Sequence, residues 1–234
     1  MSAQLVLICG GRGTRWPGRQ PGVPKSMVEL AGEPIVARLW RQLRALHTSS
    51  APPIVVVAAG DVMVPAFVTE TIPSAIVVTQ SRPDGVANAV RLALPHLSGP
   101  ALVVLGDIVL DGELSAPPPS PPAVVIWPEA PPAATVRNFG VRIDRDGAAA
   151  AVFEKPTDTT GLLCGLGLYW LTPEVIDRFG AAPVNPSTGE REITAALGFA
   201  MQTTRFGVWH FAGRYFNLNT AADFDEAERI LQGT

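Results

Sequence analysis

The feature that most constrains this chain is a fourfold alternation, in its first half, of short apolar runs with helix-like segments. The apolar runs lie at residues 5–9, 54–58, 75–79 and 101–105. Strands that are apolar on both faces are typical of a parallel sheet that helices cover on each side. The alternation therefore predicts an α/β fold in which a Rossmann-like, mostly parallel sheet is sandwiched by helices.

A glycine-rich loop follows the first apolar run. Residues 10–15 read GGRGTR, and Lys25 follows downstream. Glycines after a strand let backbone N–H groups approach an anion closely, and Arg15 and Lys25 add positive charge. Trp16 stands where a dinucleotide fingerprint needs its third glycine, and the G-K-[ST] of a Walker A loop is missing. A plain turn would explain the glycines alone, whereas the two cations favour a loop that wraps a polyphosphate.

The second half of the chain has a different pattern. Residues 115–122 read SAPPPSPP and predict a stiff surface loop, because proline has no N–H to donate. Residues 139–143 and 149–154 flank an Asp-Arg-Asp-Gly turn, which predicts a β-hairpin. Later strands are expected at residues 163–171 and 204–209. Since no linker separates the two halves, we expect one domain over residues 1–234.

Several predicted helices carry start signals, among them the helices that follow Asp84 and Thr220. Asp84 is expected to cap a helix over residues 85–94, which Pro95 helps to end. Thr220 and Asp223 have the spacing of a capping box for the last helix.

Composition excludes several classes of partner. The formal net charge is −3, so no basic excess supports nucleic-acid binding through phosphate contacts. No apolar run approaches the ~18 residues that a membrane span needs, and residues 5–9 are too short for a signal peptide. Cys9 and Cys164 lack a C-x-x-C partner, which predicts buried free thiols. We expect a cytoplasmic protein with no nucleic-acid or membrane partner, and the sequence leaves a homo-oligomer open.

Polar residues follow three of the predicted strands. The glycine loop follows the first strand, Gln80 the third, and Gly106-Asp107 the fourth. Ligands of open parallel sheets bind beyond the carboxyl ends of the strands, so these groups should meet at one edge of the sheet. A carboxylate there suits Mg²⁺, which prefers carboxylate and phosphate oxygens. The alternative is an aspartate that only stabilises a turn.

Taken in order, the motifs resemble those of the sugar-phosphate nucleotidyltransferases. G-G-x-G-T-R followed by P-K and G-x-P stands at residues 10–34, and the aspartate-ending strand VVLGD at 103–107. FGV at 139–141 resembles Y-G-V, FEKP at 153–156 resembles E-K-P, and residues 216–231 resemble D-x-G-T-P-E-D-L. The family includes glucose-1-phosphate thymidylyltransferases and choline-phosphate cytidylyltransferases. The likeness implies a GT-A-like nucleotidyltransferase with a small β-rich acceptor-binding insertion.

The resemblance also implies a reaction and a role for each matching residue. An NTP, with a pyrimidine favoured, would be coupled to a phosphorylated acceptor with release of pyrophosphate, in a nucleotide-binding half at about 1–112 and an acceptor-binding half at about 123–234. The implied catalytic cations are Arg15, Lys25 and Lys155. The implied nucleotide-binding residues are Gly10, Gly11, Gly13, Thr14, Gln80 and Gly85. The implied acceptor-binding residues are Gly140, Glu154 and Lys155. Mg²⁺ would be held by Asp107 with Asn217 or Asn219.

Three departures from the family pattern concern the acceptor and the metal. Gly165 stands where the family usually carries an asparagine that contacts the sugar, Ala195 where it carries the aspartate of E-x-x-L-T-D, and Asn217 where it carries a metal-binding aspartate. The acceptor could thus be a sugar 1-phosphate, a small phosphorylated alcohol such as phosphocholine, or a phosphonate. A non-catalytic nucleotide-binding module and a molybdopterin guanylyltransferase stay as alternatives, although Gln80 argues against the latter.

Overall fold

The computed structural model describes residues 3–10 and 22–233 of the chain. Within these ranges the chain forms twelve strands and seven helices. The strands are β1 (Gln4–Cys9), β2 (Glu29–Leu30), β3 (Glu33–Pro34), β4 (Ile54–Ala58), β5 (Ile76–Gln80), β6 (Ala101–Leu105), β7 (Ile108–Leu114), β8 (Ala123–Trp127), β9 (Phe139–Ile143), β10 (Ala149–Glu154), β11 (Leu163–Leu171) and β12 (Gly207–Asn217). The helices are α1 (Ile35–Leu43), α2 (Met63–Thr71), α3 (Val86–Leu92), α4 (Pro132–Arg137), α5 (Pro173–Arg178), α6 (Ile193–Met201) and α7 (Ala221–Leu231).

Ten of these strands form one sheet. Its order is β5-β4-β1-β6-β11-β8-β12-β7, and the β9–β10 hairpin joins it through β11. β5, β4, β1 and β6 are mutually parallel, whereas β11 runs antiparallel to both β6 and β8. β12 first pairs with β8 in parallel and then with β7 in antiparallel fashion. The predicted α/β fold, a mostly parallel mixed sheet flanked by helices, is confirmed.

The sheet is buried on both faces. In β1, Leu5, Leu7 and Cys9 pack into one hydrophobic cluster, and Val6 and Ile8 pack into the other. Helices α1, α2, α4 and α7 contribute to the first cluster, and α3, α5 and α6 contribute to the second. This two-sided burial is the physical reason that the central strands read as unbroken apolar runs.

Three sequence-based expectations about elements need correction. β7 and α4 were not predicted, since the apolar run of β7 stops after three residues and α4 has none, and β12 continues past the expected residues 204–209 as far as Asn217. The expectation that Asp84 caps α3 was wrong, because Gly85 occupies the N-cap and no side chain bonds there. The Asp84 carboxylate instead accepts a hydrogen bond from Gln80. The capping box of Thr220 and Asp223 is confirmed.

Both cysteines are buried free thiols, as predicted. Burial raises the pKa of the Cys9 thiol to about 12 and that of Cys164 to about 11, so neither is a reactive thiolate at neutral pH. Within the part of the chain that the structure describes, no helix has both the length and the apolar character to cross a membrane.

Candidate functional site

Lys25, Asp107 and Asn219 meet at the carboxyl edge of the sheet. The Lys25 ammonium donates to Asp107 Oδ2 at 2.9 Å and to Asn219 Oδ1 at 3.3 Å. The Lys25 side chain is only 12% exposed, while that of Asp107 is 35% exposed. Residues far apart in sequence therefore place a shielded cation and two oxygen ligands at one point, which is open to solvent on the Asp107 side.

Backbone pairing fixes this arrangement. Asp107 connects β6 to β7, and the N–H of Gly106 donates to the Ile8 carbonyl at 2.8 Å. The N–H of Leu218 donates to the Asp107 carbonyl at 3.0 Å. Consequently the ends of β1, β6 and β12 are held side by side, and the Asp107 carboxylate lies between the first and last thirds of the chain.

A small pocket adjoins the ion pair. It has a volume of about 90 Å³, and Lys25, Asp107, Gly106 and Val86 are among its lining residues. Val86 begins α3 directly after Gly85, so the pocket connects the ion pair to the region of Gln80.

Gln80, Gly10 and Gly85 lie close together, and Gly85 directly precedes Val86, which lines this pocket. The Gln80 side chain is buried at 8% exposure, and its Nε2 donates to Asp84 Oδ1 at 2.8 Å and to the Gly85 carbonyl at 3.2 Å. Gly10 follows β1, and a Cβ added to it would lie 2.9 Å from the Gln80 amide oxygen. The structure thus brings together Gly10, Gln80 and Gly85, the three described residues of the expected nucleotide-binding group, and orients the Gln80 amide.

Glu154, Lys155 and Gly140 belong to the β9–β10 hairpin. Glu154 Oε2 accepts a hydrogen bond from Thr194 Oγ1 at 2.6 Å. Lys155 is exposed and has a φ of +41°, a left-handed conformation that a non-glycine residue adopts only when its surroundings hold it. Gly140 pairs with Phe153 across the hairpin. Glu154 and Lys155 are thus both exposed, and the Glu154 carboxylate is held by the Thr194 hydroxyl.

An aromatic ring fills the position beside Gly165. A Cβ on Gly165 would lie 2.1 Å from Cε2 of Phe139, and Phe139 is only 5% exposed. The Phe139 ring also packs against Tyr169, with the ring centroids 6.1 Å apart. The amide that the family usually carries at position 165 is therefore absent, and an apolar ring occupies the adjacent space.

Asn217 contacts Asn138, which sequence reasoning missed. Asn217 ends β12, and its Nδ2 donates to Asn138 Oδ1 at 2.9 Å. Asn138 is the C-cap of α4, and its carbonyl accepts a hydrogen bond from the N–H of Lys155 at 3.0 Å. An asparagine after a helix is a usual cap, but this signal was lost because α4 itself was not predicted.

Four of the expected nucleotide-binding and catalytic residues belong to the glycine loop that follows β1. Gly11, Gly13, Thr14 and Arg15 lie outside the described residues, so their roles stay predictions.

The ligands at the sheet edge fit Mg²⁺ shared with a polyphosphate. The oxygens of Asp107 and Asn219 already converge on one cation, the Lys25 ammonium. Residues 3–10 and 22–233 contain no group of three or more His, Cys, Asp or Glu side chains that could hold a metal ion. Mg²⁺ needs no such group, since it commonly takes one or two carboxylates together with water and substrate phosphates.

The sequence is similar to those of known nucleotidyltransferases. Residues 5–116 match the model of the MobA-like NTP transferase domain. The UTP–glucose-1-phosphate uridylyltransferase AglF of Haloferax volcanii is 27% identical over 243 residues, which cover 98% of this chain and 96% of AglF. The bifunctional protein GlmU of Methanococcus aeolicus is 25% identical over 227 residues, which cover 91% of this chain. This chain spans about half of that GlmU, since the match covers 52% of it.

The fold also has counterparts among solved structures. The inositol-1-phosphate CTP transferase from T. maritima superposes with a TM-score of 0.77 at 16% identity, over 100% of this chain and 98% of that one. Over almost its whole length the chain is therefore similar to a sugar-phosphate nucleotidyltransferase, and its residues 5–116 match the MobA-like NTP transferase domain.

Proposed function

We propose that this protein is a Mg²⁺-dependent nucleotidyltransferase that couples an NTP, with a pyrimidine base favoured, to a small phosphorylated acceptor and releases pyrophosphate. The observation that carries the proposal is the convergence of the Lys25 ammonium, the Asp107 carboxylate and the Asn219 amide oxygen at the carboxyl edge of the sheet. This edge is where open α/β sheets bind their ligands.

The reaction needs positioning and charge more than proton transfer. A phosphate monoester has a second pKa near ~6, so its attacking oxygen is already largely unprotonated at neutral pH. That oxygen forms a bond to the α-phosphorus of the NTP. The bond from the α-phosphorus to the bridging oxygen of the β-phosphate breaks, and pyrophosphate leaves with the electron pair. No general base is required, and the main obstacle is repulsion between two anions.

Three cations of the chain are suited to reduce that repulsion. Lys25 lines the small pocket together with Asp107, and Lys155 lies at the surface next to Glu154. Arg15 is expected to add a third positive charge from the glycine loop. Mg²⁺, held by Asp107 with Asn217 or Asn219, would supply further charge neutralisation on the phosphates.

The side of the site around Glu154 supports binding of an acceptor with both a phosphate and a hydroxyl group. The Glu154 carboxylate can accept a hydrogen bond from an acceptor hydroxyl, and the Lys155 ammonium can pair with the acceptor phosphate. The Phe139 ring beside Gly165 offers no hydrogen bond at the position where the family usually contacts a sugar. A sugar 1-phosphate, a small phosphorylated alcohol and a phosphonate are therefore all candidate acceptors. AglF, by its name, uses glucose 1-phosphate.

A substrate screen tests the proposed function. Each of ATP, GTP, CTP, UTP and dTTP is mixed with Mg²⁺ and with glucose 1-phosphate, inositol 1-phosphate, phosphocholine or a small phosphonate, and pyrophosphate release is measured. We expect turnover with at least one pair, and with UTP, CTP or dTTP rather than GTP. NTP binding without turnover in any pair would favour a non-catalytic module, and GTP selectivity would favour guanylyl transfer. An absence of both binding and turnover would refute nucleotide chemistry altogether.

Replacing Lys155 should weaken use of the acceptor. In Lys155→Ala we expect the acceptor KM to rise, or kcat/KM for the acceptor to fall, by about 10-fold to 100-fold, because a charge-assisted contact to phosphate is lost. The KM for the NTP should stay within about twofold of the wild-type value. Arg145→Ala is the matched control, since Arg145 is an exposed cation at the tip of the same hairpin. An unchanged acceptor KM in Lys155→Ala would remove the phosphate contact from the proposal.

A further inference from the structure

We propose that Asn138 is a positioning residue that orients the Asn217 amide and links the metal-binding side of the site to the acceptor-binding side. The inference rests on the proposed function, because it treats Asn217 as a residue that faces Mg²⁺ and the triphosphate. It is carried by a chain of directed hydrogen bonds that begins in helix α4 and ends at β12.

The first hydrogen bonds of this series fix the orientation of the Asn138 side chain. Its backbone N–H donates to the carbonyls of Ala134 at 3.0 Å and Thr135 at 3.2 Å. Its side-chain Nδ2 donates to the same Ala134 carbonyl at 2.8 Å. Since the Asn138 nitrogen is bound to the helix, the Asn138 oxygen is the atom turned toward Asn217.

The next hydrogen bond of the series fixes the orientation of the Asn217 amide. Because Asn138 presents an oxygen, Asn217 must present its nitrogen, and Nδ2 does so at 2.9 Å. Flipping either amide alone would bring two donors or two acceptors face to face. The Asn217 Oδ1 is therefore the amide atom left for a cation or a phosphate-bound water, and oxygen is the atom that Mg²⁺ accepts from an amide.

This logic explains why asparagine suits position 217 in this chain. An aspartate there would have two acceptor oxygens and no donor, so one of its oxygens would face the Asn138 oxygen. Asn138 and Asn217 thus form a matched pair, and the metal-binding side carries the charge of the Asp107 carboxylate without a second carboxylate at 217.

The same residue reaches the acceptor-binding side. The Asn138 carbonyl accepts from the N–H of Lys155, whose left-handed backbone needs such support. Asn138 therefore contacts a candidate metal ligand through its side chain and a candidate acceptor-binding residue through its backbone. A side-chain substitution removes the first contact and spares the second.

Asparagine-selective NMR tests the orientation directly. The chain has five asparagines, Asn88, Asn138, Asn185, Asn217 and Asn219, so ¹⁵N-asparagine labelling yields five side-chain amide pairs that single substitutions assign. In Asn138→Ala we expect the Asn217 pair to shift and its protons to exchange faster with water. Asn138→Asp retains an oxygen for the Asn217 nitrogen and should leave the Asn217 pair close to its wild-type position. An Asn217 pair that is unmoved in Asn138→Ala would overturn the proposal.

Manganese binding tests the link to the metal. With Mn²⁺ as a paramagnetic substitute for Mg²⁺ and a saturating NTP, we expect Asn138→Ala to weaken Mn²⁺ binding about 10-fold, as is usual when a residue that orients a metal ligand is lost. In an Asn217→Ala background the same change should add less than about twofold, because its effect passes through Asn217. Equal losses in both backgrounds would indicate a merely structural role and overturn the proposal.

A matched control distinguishes the specific effect of removing Asn138 from the general effect of removing a hydrogen-bonded asparagine. The Asn185 side chain also makes local hydrogen bonds, with its Nδ2 donating to Glu192 Oε1 at 2.8 Å and its Oδ1 accepting from Ser187, so Asn185→Ala should leave Mn²⁺ affinity unchanged. If the wild-type protein binds no Mn²⁺–NTP at all, the proposed function fails. If it binds and turns over while Asn138→Ala matches wild type in both readouts, only the role of Asn138 fails.

Discussion

Asp107→Asn should reduce kcat/KM for nucleotidyl transfer by about 10³-fold and leave the fold intact. The carboxylate is the charged oxygen ligand at the sheet edge that contacts Lys25, and removing one preorganised charge from a phosphoryl-transfer site costs several kcal/mol of transition-state stabilisation. Stability should change little, by about 1 kcal/mol or less, because the ion pair with Lys25 is part-exposed. Steady-state kinetics and urea unfolding of the two proteins measure both effects.

Asp111→Asn is the matched control for Asp107→Asn. Asp111 lies four residues further on in β7, is 34% exposed, and has its own ion pair with Arg214 at 2.6 Å. The two substitutions remove the same charge from similar surroundings, but only Asp107 faces Lys25. We expect Asp111→Asn to keep kcat/KM within about twofold. Equal activities of the two variants would contradict the metal-binding role of Asp107.

The first half of the fold could be read from the sequence because its strands are buried on both faces. A strand such as β4, Ile54–Ala58, has apolar side chains on each side of the sheet, so its sequence is an unbroken apolar run. β7 is different: Asp111, Gly112 and Glu113 leave its second half partly exposed, and Asp-Gly resembles a turn. Its strand conformation depends on pairing with residues 211–217 of β12, which a local pattern cannot show.

The contacts of the candidate site also differ in how far the sequence predicts them. The meeting of Lys25 and Asp107 follows from the rule that strand ends share one edge of the sheet, and the sequence contained that information. The contact of Asn138 with Asn217 joins residues 79 positions apart through a helix with no apolar signature. The Phe139 ring beside Gly165 and the Thr194 hydroxyl on Glu154 are likewise long-range contacts. Sequence reasoning identified several of these residues but not their partners.

Gly85 is expected to bind the base, and the structure shows that it also allows close backbone packing. The resemblance assigns its backbone to base binding, which stays a prediction. In the structure the segment around Arg191 packs directly on it: the Arg191 N–H donates to the Asp84 carbonyl at 2.9 Å, and the N–H of Ala87 donates to the Arg191 carbonyl at 3.1 Å. Gly85 lies between these two hydrogen bonds, where there is no room for a side chain.

Gly85→Ala should therefore lower the free energy of unfolding by about 2–4 kcal/mol, through strain and backbone displacement together. A Cβ on Gly85 would lie 2.3 Å from the Arg191 carbonyl oxygen and 2.6 Å from the Arg191 nitrogen, and the residue has a φ of +105°. NTP binding should weaken as well, because Asp84 and Gly85 hold the Gln80 amide. Urea unfolding and NTP titration are the measurements.

Gly60→Ala separates the two causes. Gly60 has a φ of +83°, but a Cβ there would meet nothing within 4 Å, so its substitution carries the left-handed backbone cost of about 1 kcal/mol without the collision. The difference between the two variants then measures the displacement of the Arg191 segment. Because Gly60 does not support Gln80, its variant should bind NTP like wild type. If both variants lost equal stability and Gly85→Ala bound NTP normally, the close approach of Arg191 would not be what holds Gln80 in position.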